Sequence, residues 1–123
     1  MKNFGKELIL DLHNCNLKKF NRQSLHGYFI GLCKLIDMHR CEMHFWDDFD
    51  TPGDEKQTSP HTTGTSAIQF ILTSNITIHT LDLLGKVFVN IFSCKDFDEN
   101  QASDFTQRWF GGRIVNQKVI ERL

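Results

Sequence analysis

The sequence has no excess of positive charge and no long apolar run. Lysine and arginine together number 14 against 15 for aspartate and glutamate, so no basic surface is indicated for binding nucleic acid. No apolar run approaches the roughly 20 residues that a membrane-spanning helix needs. The N-terminus lacks the apolar region and small-residue cleavage site of a signal peptide. We therefore expect a cytoplasmic protein that binds neither nucleic acid nor membrane.

Cysteine occurs at four positions, Cys15, Cys33, Cys41 and Cys94. In a reducing compartment we expect free thiols rather than disulfides. We interpret Cys33 and Cys41 as small buried residues. His39 and His44 flank Cys41, but the spacing does not match a zinc pair, and Cys41 and His44 would face opposite sides of a strand. The sequence therefore predicts no metal site.

The 123 residues suit a single domain, 1–123, with one core. Hydrophobic periodicity predicts two helices, at 21–39 and 98–110, and strands at 7–12, 41–49, 66–72, 75–81, 86–94 and 113–120. The strand at 86–94 is apolar on both faces, so we expect it to be central. Gly27 and Gly31 indicate a close approach of the first helix to the sheet. The predicted fold class is α+β, a two-layer sandwich of a largely antiparallel sheet with two helices on one face.

Both prolines of the chain fall in one polar segment, 47–64, which also carries an acidic cluster. A loop of this length in a compact domain is usually either a functional flap or a solvated, poorly ordered segment. The sequence leaves the two interpretations open.

A hydroxyl, an imidazole and a thiol lie on or beside neighbouring strands. If 75–81 and 86–94 form a hairpin, we expect His79 and Cys94 to project into one pocket, with Ser66 one strand upstream. Ser74 falls at a tight junction between strands, where backbone strain is expected. These residues also suit an ordinary turn, a structural histidine and a core cysteine, and spacing alone favours that simpler interpretation.

The alternative interpretation is that these residues carry out a self-cleavage reaction. A serine hydroxyl in a strained turn can attack the preceding carbonyl, here that of Thr73, and convert the peptide into an ester. Removal of the Ser74 α-proton and hydrolysis of the resulting dehydroalanine would cut the chain and leave a pyruvoyl group at position 74. Such a carbonyl acts as an electron sink for decarboxylation, as pyridoxal phosphate does. Cys94 could return the proton after CO2 leaves.

Three segments resemble the prokaryotic type of S-adenosylmethionine decarboxylase proenzyme. Residues 5–15 (GKELILDLHNC) are similar to the opening strand of that family, 74–80 (SNITIHT) to its processing segment, and 90–94 (NIFSC) to the strand that carries its catalytic cysteine. The combined spacing of Ser66, Ser74, His79 and Cys94 makes this resemblance specific.

The resemblance implies self-cleavage at Thr73–Ser74 into a β chain, 1–73, and an α chain, 74–123. Ser74 would become the pyruvoyl cofactor, His79 would assist processing, Cys94 would donate a proton, and Ser66 would support processing or catalysis through a hydrogen bond. The implied assembly is a homodimer of processed protomers, two α and two β chains. The implied function is decarboxylation of S-adenosylmethionine for spermidine synthesis.

The substrate-recognition residues depart from the family pattern. The family has Glu where this chain has Thr73, and Trp-Pro-Glu where this chain has Leu81-Asp82-Leu83. Asp82 is our candidate for the missing carboxylate, although an extended strand would turn it to the other side. Phe45 and Trp46, or else Phe49, could supply the aromatic face that stacks on adenine.

These departures leave three hypotheses. S-adenosylmethionine is the default substrate. The same chemistry on ornithine or arginine is the first alternative, with the acidic loop (Asp47, Asp48, Asp50, Asp54 and Glu55) facing a cationic side chain. An unprocessed relative that only regulates a partner is the second.

Overall fold

A computed structural model describes residues 3–123 of the chain. The strands are β1 (Gly5–His13), β2 (Arg40–Trp46), β3 (Gly64–Ile71), β4 (Ser74–Leu81), β5 (Lys86–Ser93) and β6 (Arg113–Arg122), and the helices are α1 (Arg22–Leu35) and α2 (Glu99–Phe110). The six strands form one sheet in the order β2-β3-β4-β5-β1-β6, with every neighbouring pair antiparallel. This confirms the predicted element order and the central position of β5.

Alternation along the strands sends one set of side chains into a core beneath the helices. The fully buried strand residues include Leu8, Leu10, Leu12, Ile76, Ile78, Val87, Val89 and Ile91. The helices cover them with buried residues that include Leu25, Tyr28, Phe29, Leu32, Ala102 and Phe110. The predicted two-layer α+β sandwich is therefore confirmed. Within the described chain, neither helix is long and apolar enough to cross a membrane.

The ends of both helices follow from local chemistry. The Asn21 side chain accepts a hydrogen bond from the Ser24 amide at 2.8 Å, and Asp98 caps α2 in the same way. Gly111 stops α2 in the left-handed conformation, with φ of +67°. Helix α1 ends at Leu35, before the predicted His39, because Asp37 turns to φ of +57°.

The glycines of α1 approach the second helix rather than the sheet. A Cβ placed on Gly31 would lie 2.7 Å from Phe105 Cζ, and one on Gly27 would lie 3.1 Å from the Trp109 ring. The expected close approach to the sheet is therefore wrong, because aromatic side chains of α2 occupy the space over these positions.

Within residues 3–123, both helices pack on one face of the sheet and none covers the second, outer face. Register places Trp46, Ser66, His79 and Phe88 in one row across β2, β3, β4 and β5, all on this outer face. Trp46 is 57% exposed and Phe70, on the same face, is 42% exposed. Exposed apolar area of this kind is typical of an interaction surface.

Cys41 lies exposed on the edge strand β2, whereas Cys33 is buried. The prediction for Cys41 is wrong, because β2 is an edge strand with an irregular register between Arg40 and Met43 that leaves Cys41 outside the core. Among the described residues all four cysteines are free thiols, as expected.

The segment 47–63 has defined structure. Asp47 forms a bidentate pair with Arg22 of α1 (2.7 and 2.9 Å), and Asp48 accepts from the Gln57 amide at 2.6 Å. A short 3-10 turn, Gly53–Glu55, lies between them. The loop is thus anchored to the helix layer at its start.

Candidate active site

Ser74 and Cys94 lie together at one end of the sheet. Ser74 is the first residue of β4 and only 7% exposed, and Cys94 directly follows β5. The Cys94 amide donates to Ser74 Oγ at 3.0 Å, and Ser74 Oγ lies 3.6 Å from Cys94 Sγ. The hydroxyl predicted to attack and the thiol predicted to donate a proton are therefore in direct contact.

The backbone strain predicted near Ser74 lies one residue earlier. Ile71 of β3 pairs with Ser74, so Leu72 and Thr73 alone form the turn, and Thr73 has φ of +52°. A β-branched residue rarely adopts this conformation. The Thr73 hydroxyl donates to the Leu72 carbonyl at 2.8 Å and lies 3.1 Å from Cys94 Sγ.

The hydroxyls around Cys94 tune its thiol. The hydrogen-bond contact with Thr73, and secondarily that with Ser74, lowers the pKa of Cys94 from its ordinary value. Burial instead raises the pKa values of Cys15 and Cys33 to about 11. The pKa of Cys94 is therefore shifted in the opposite direction from those of the buried thiols Cys15 and Cys33.

A cavity of about 490 Å³ opens over Ser74 and Cys94. Its rim includes Asp37, His39 and Lys95, and the Lys95 ammonium pairs with Asp37 Oδ2 at 2.8 Å. These rim residues were not predicted from the sequence, because the turn after α1 brings Asp37 and His39 beside Lys95, which directly follows Cys94.

Ser66 and His79 form a second pair. They are directly opposite in the β3–β4 register, and Ser66 Oγ lies 2.7 Å from His79 Nδ1. They line a cavity of about 740 Å³ on the outer face. Its other walls include Trp46, Gln57, His61, Leu81, Leu84, Lys86 and Phe88.

The two pairs lie apart within one chain. Ser74 and His79 are five residues apart on one strand, so they face opposite sides of the sheet, about 17 Å from each other at roughly 3.3 Å per residue. The expectation that His79 and Cys94 open into one pocket is wrong for a single chain, because Cys94 lies at the Ser74 end of the hairpin. Their individual roles stay predictions.

The three residues predicted to bind substrate occupy different places. Trp46 lines the cavity beside His79, and Phe45 packs near the Arg22 guanidinium with its edge in a smaller cleft shared with Trp46. Asp82 instead lines a cavity on the helix side, together with Arg22 and Asp47.

The Asp82 side chain has an unusual environment. Its Oδ1 is buried without a hydrogen-bond partner. Burial, and then the charge of Asp47, raise the pKa of its carboxyl. Asp82 therefore does not reach the cavity beside His79, because alternation beyond Leu81 turns it toward the helices.

Sequence reasoning missed Gln57, His61 and Lys86 as cavity residues. Gln57 and His61 lie in the long polar segment 47–64, and their position there could have indicated a role in the cavity, because one interpretation of that segment was a functional flap. Lys86 faces the cavity because it pairs with Leu81 across the β4–β5 hairpin. That register could not be fixed from the sequence.

Comparisons with known proteins identify the family of the chain. A sequence model of the family described as S-adenosylmethionine decarboxylase matches residues 6–123. The fold is similar to the crystal structure of the adenosylmethionine decarboxylase from Aquifex aeolicus VF5, with a TM-score of 0.76 and 20% identity over 98% of this chain and 91% of that one. No curated protein sequence matches the chain. The chain therefore belongs to the S-adenosylmethionine decarboxylase family and is a carboxy-lyase.

Proposed function

We propose that the chain is a pyruvoyl-dependent decarboxylase that cleaves itself between Thr73 and Ser74 and acts on S-adenosylmethionine. The observation that carries this proposal is the cluster of Thr73, Ser74 and Cys94 at a two-residue turn with a strained backbone. The product would serve spermidine synthesis.

The processing step begins with the Ser74 hydroxyl and the Thr73 carbonyl, which are already adjacent in the turn. Ser74 Oγ attacks the Thr73 carbonyl carbon, the peptide C–N bond breaks, and an ester forms with a free amine at position 74. Loss of the Ser74 α-proton expels the Thr73 carboxylate, and water then replaces the nitrogen, which leaves as ammonia. Ser74 Oγ thus ends as a carboxylate oxygen of Thr73.

The conformation of Thr73 favours this step. A non-glycine residue held at positive φ stores of the order of 1–3 kcal/mol. That strain lies at the residue whose carbonyl carbon is attacked. Ser74 is nearly buried, so its hydroxyl faces little competition from bulk water at the site.

The residues present fit a pyruvoyl group at position 74, because the Ser74 backbone lies beside a thiol and a cavity large enough for a substrate amine. When formed, that group supplies the electrophilic carbonyl and electron sink for decarboxylation. Cys94 Sγ would hold the proton that is returned to the substrate α-carbon. The contacts with Thr73 and Ser74, which lower the pKa of Cys94, suit a group that has to release a proton.

The separation of the two residue pairs supports a homodimer. One chain carries Ser74 and Cys94 at a strand end, but its Ser66–His79 pair lies on the outer face, about 17 Å away. That outer face is uncovered and partly apolar. We infer that two chains pack through it, so that His79 of the partner subunit completes each site. The mature assembly would then contain two copies of each fragment.

The aromatic lining of the cavity beside His79 supports a nucleoside sulfonium as the substrate. No Asp or Glu is among the described residues that line it, so within one chain neither the side chain of ornithine or arginine nor a ribose would find a carboxylate there. Trp46 and Phe88 offer aromatic faces that can hold a sulfonium and a stacked base. Asp47 and Asp48 of the acidic loop are already bonded to Arg22 and to the Gln57 amide.

Leu81 and Leu83 still favour the alternative of ornithine or arginine, because they replace the nucleoside-binding residues of the family. Measuring kcat/KM for S-adenosylmethionine, ornithine and arginine under one condition separates the two. Activity on S-adenosylmethionine alone is the expected result, and a clear preference for a free amino acid would contradict it.

Self-cleavage is tested by intact mass measurement of the purified chain. We expect fragments corresponding to 1–73 and 74–123, the second blocked at its N-terminus by the pyruvoyl group. Ser74→Ala, which lacks the attacking hydroxyl, should remain full length. A single full-length mass for the unmodified chain after prolonged incubation would instead indicate the unprocessed, regulatory relative.

A further inference from the structure

We propose that Thr73 is a positioning residue whose hydroxyl holds the Cys94 thiol at the cleavage junction, both in the uncleaved chain and as the last residue of the 1–73 fragment. This inference rests on the proposed function and assigns a use to the residue at which the chain departs from its family.

The contacts of Cys94 Sγ are few. The thiol follows the end of β5, so the strand ladder does not fix it, and it is partly exposed. Its described polar neighbours are Thr73 Oγ1 at 3.1 Å, Ser74 Oγ at 3.6 Å and the Leu72 carbonyl at 3.8 Å. The Thr73 hydroxyl is the nearest of the three.

Processing removes one of these neighbours. In the proposed cleavage, Ser74 Oγ leaves position 74 and becomes a carboxylate oxygen of Thr73. Of the two hydroxyls that contact the thiol in the uncleaved chain, only that of Thr73 survives. It is therefore the hydroxyl that can hold Cys94 during turnover.

The Thr73 hydroxyl can serve both protonation states of the thiol. A hydroxyl has one proton to donate and two lone pairs to accept with. When Cys94 is protonated, its S–H can donate to Thr73 Oγ1 while the Thr73 O–H donates to the Leu72 carbonyl. When Cys94 is ionised, the same O–H can turn to the sulfur. A group that gives up and regains a proton needs such a partner.

The side chain of Thr73 is also held in place. Branching at Cβ restricts χ1, and the bond to the Leu72 carbonyl at 2.8 Å fixes the hydroxyl. The other charged or titratable groups that line this cavity are Asp37, His39 and Lys95, and Asp37 and Lys95 are paired with each other. The hydrogen-bond contacts of Cys94 Sγ among the described residues are instead those with Thr73, Ser74 and Leu72.

The test measures the thiol itself. In a Ser74→Ala background, which blocks cleavage, the rate of iodoacetamide alkylation of Cys94 is followed against pH by peptide mass spectrometry. Thr73→Val removes the hydroxyl and keeps the branched shape, Thr73→Ala removes it without branching, and Thr73→Ser keeps it. Cys41, which is exposed, is the internal reference in every sample.

We expect Thr73→Val and Thr73→Ala to move the Cys94 profile to higher pH and to lower its alkylation rate several-fold near neutral pH. Thr73→Ser should restore the profile, and Cys41 should not change. The proposal would be overturned if the pH profiles of Cys94 alkylation coincided in the chain that keeps Thr73 and in Thr73→Val. It would also be overturned if Thr73→Val and Thr73→Ser shifted that profile equally. Because the background is uncleavable, failure here is distinct from failure of self-processing, which the unmodified chain reports.

Discussion

Complementation between two inactive chains tests whether each active site is shared by two subunits. Ser74→Ala removes the attacking hydroxyl, and His79→Ala removes the imidazole, so neither chain should cleave when expressed alone. In a mixed dimer, the Ser74 of the His79→Ala chain can meet His79 of the partner subunit. Cleavage should return, and only in the His79→Ala chain.

The structure sets the expected magnitude. Ser74 and His79 of one chain face opposite sides of the sheet about 17 Å apart, which no side-chain rotation can bridge. If equal amounts of the two chains pair at random, half of the dimers are mixed, and each mixed dimer has one working site. About one quarter of all chains should therefore be cleaved, which is about half of the His79→Ala chains.

Intact mass measurement of the co-expressed chains reads this fraction directly, because the two substitutions label the fragments differently. Co-expression of His79→Ala with the Ser74→Ala/His79→Ala double variant is the matched control, since it offers no imidazole to any intact serine. The shared-site reasoning is refuted if His79→Ala cleaves at the normal rate alone, or if the complementing pair yields no more cleavage than the control.

Three further predictions concern activity and stability. Cys94→Ala should still cleave but show a kcat lower by about 10²–10⁴-fold, the usual contribution of general acid catalysis; a normal kcat would make Cys94 structural. Asp82→Asn should raise Tm at neutral pH, because the carboxyl pKa is raised in the folded chain and its ionised form is disfavoured there. A carboxyl group with a raised folded-state pKa stabilises the fold less as pH rises through that pKa. The gain in Tm from Asp82→Asn should therefore shrink on acidification, and a gain independent of pH would show that ionisation of Asp82 is not its cause. Tyr28→Phe removes the buried hydroxyl that lies 2.7 Å from Thr106 Oγ1. The free energy of unfolding, measured in urea, should fall by about 0.5–1.5 kcal/mol. An unchanged free energy of unfolding would mean that the hydrogen bond from Thr106 to the Ala102 carbonyl is sufficient by itself.

The fold was predictable because its signals are local. Period-two alternation marks β1, β4 and β5, while the caps Asn21 and Asp98 and the stop at Gly111 delimit the helices. The contacts of individual residues with neighbouring strands and helices were harder to predict. The exposure of Cys41 depends on β2 being an edge strand, which the sequence does not indicate. The contacts of Gly27 and Gly31 with Trp109 and Phe105 depend on how the two helices pack.

The candidate site was predictable in composition and not in arrangement. The resemblance supplied Ser66, Ser74, His79 and Cys94, and strand alternation already implies that positions 74 and 79 diverge. The contact between Thr73 and Cys94 could not be foreseen, because it depends on Ile71 pairing with Ser74 to leave a two-residue turn. One slip in that register would move the thiol away from both hydroxyls.

The strand order has a consequence for the assembled protein if the chain cleaves itself as we propose. The 1–73 fragment carries β1, β2 and β3, and the 74–123 fragment carries β4, β5 and β6. Three of the five neighbouring strand pairs in the sheet would then join different polypeptides: β3–β4, β5–β1 and β1–β6. Strand β1 would lie between two strands of the other fragment. A cut at the turn breaks none of these ladders, so the fragments would remain interlocked without a covalent link. Reassembly after complete unfolding would require two separate molecules to meet, which makes recovery dependent on concentration, as it is for an obligate complex. Only the uncut chain could then refold as a single molecule, and the proposed cleavage would remove that possibility.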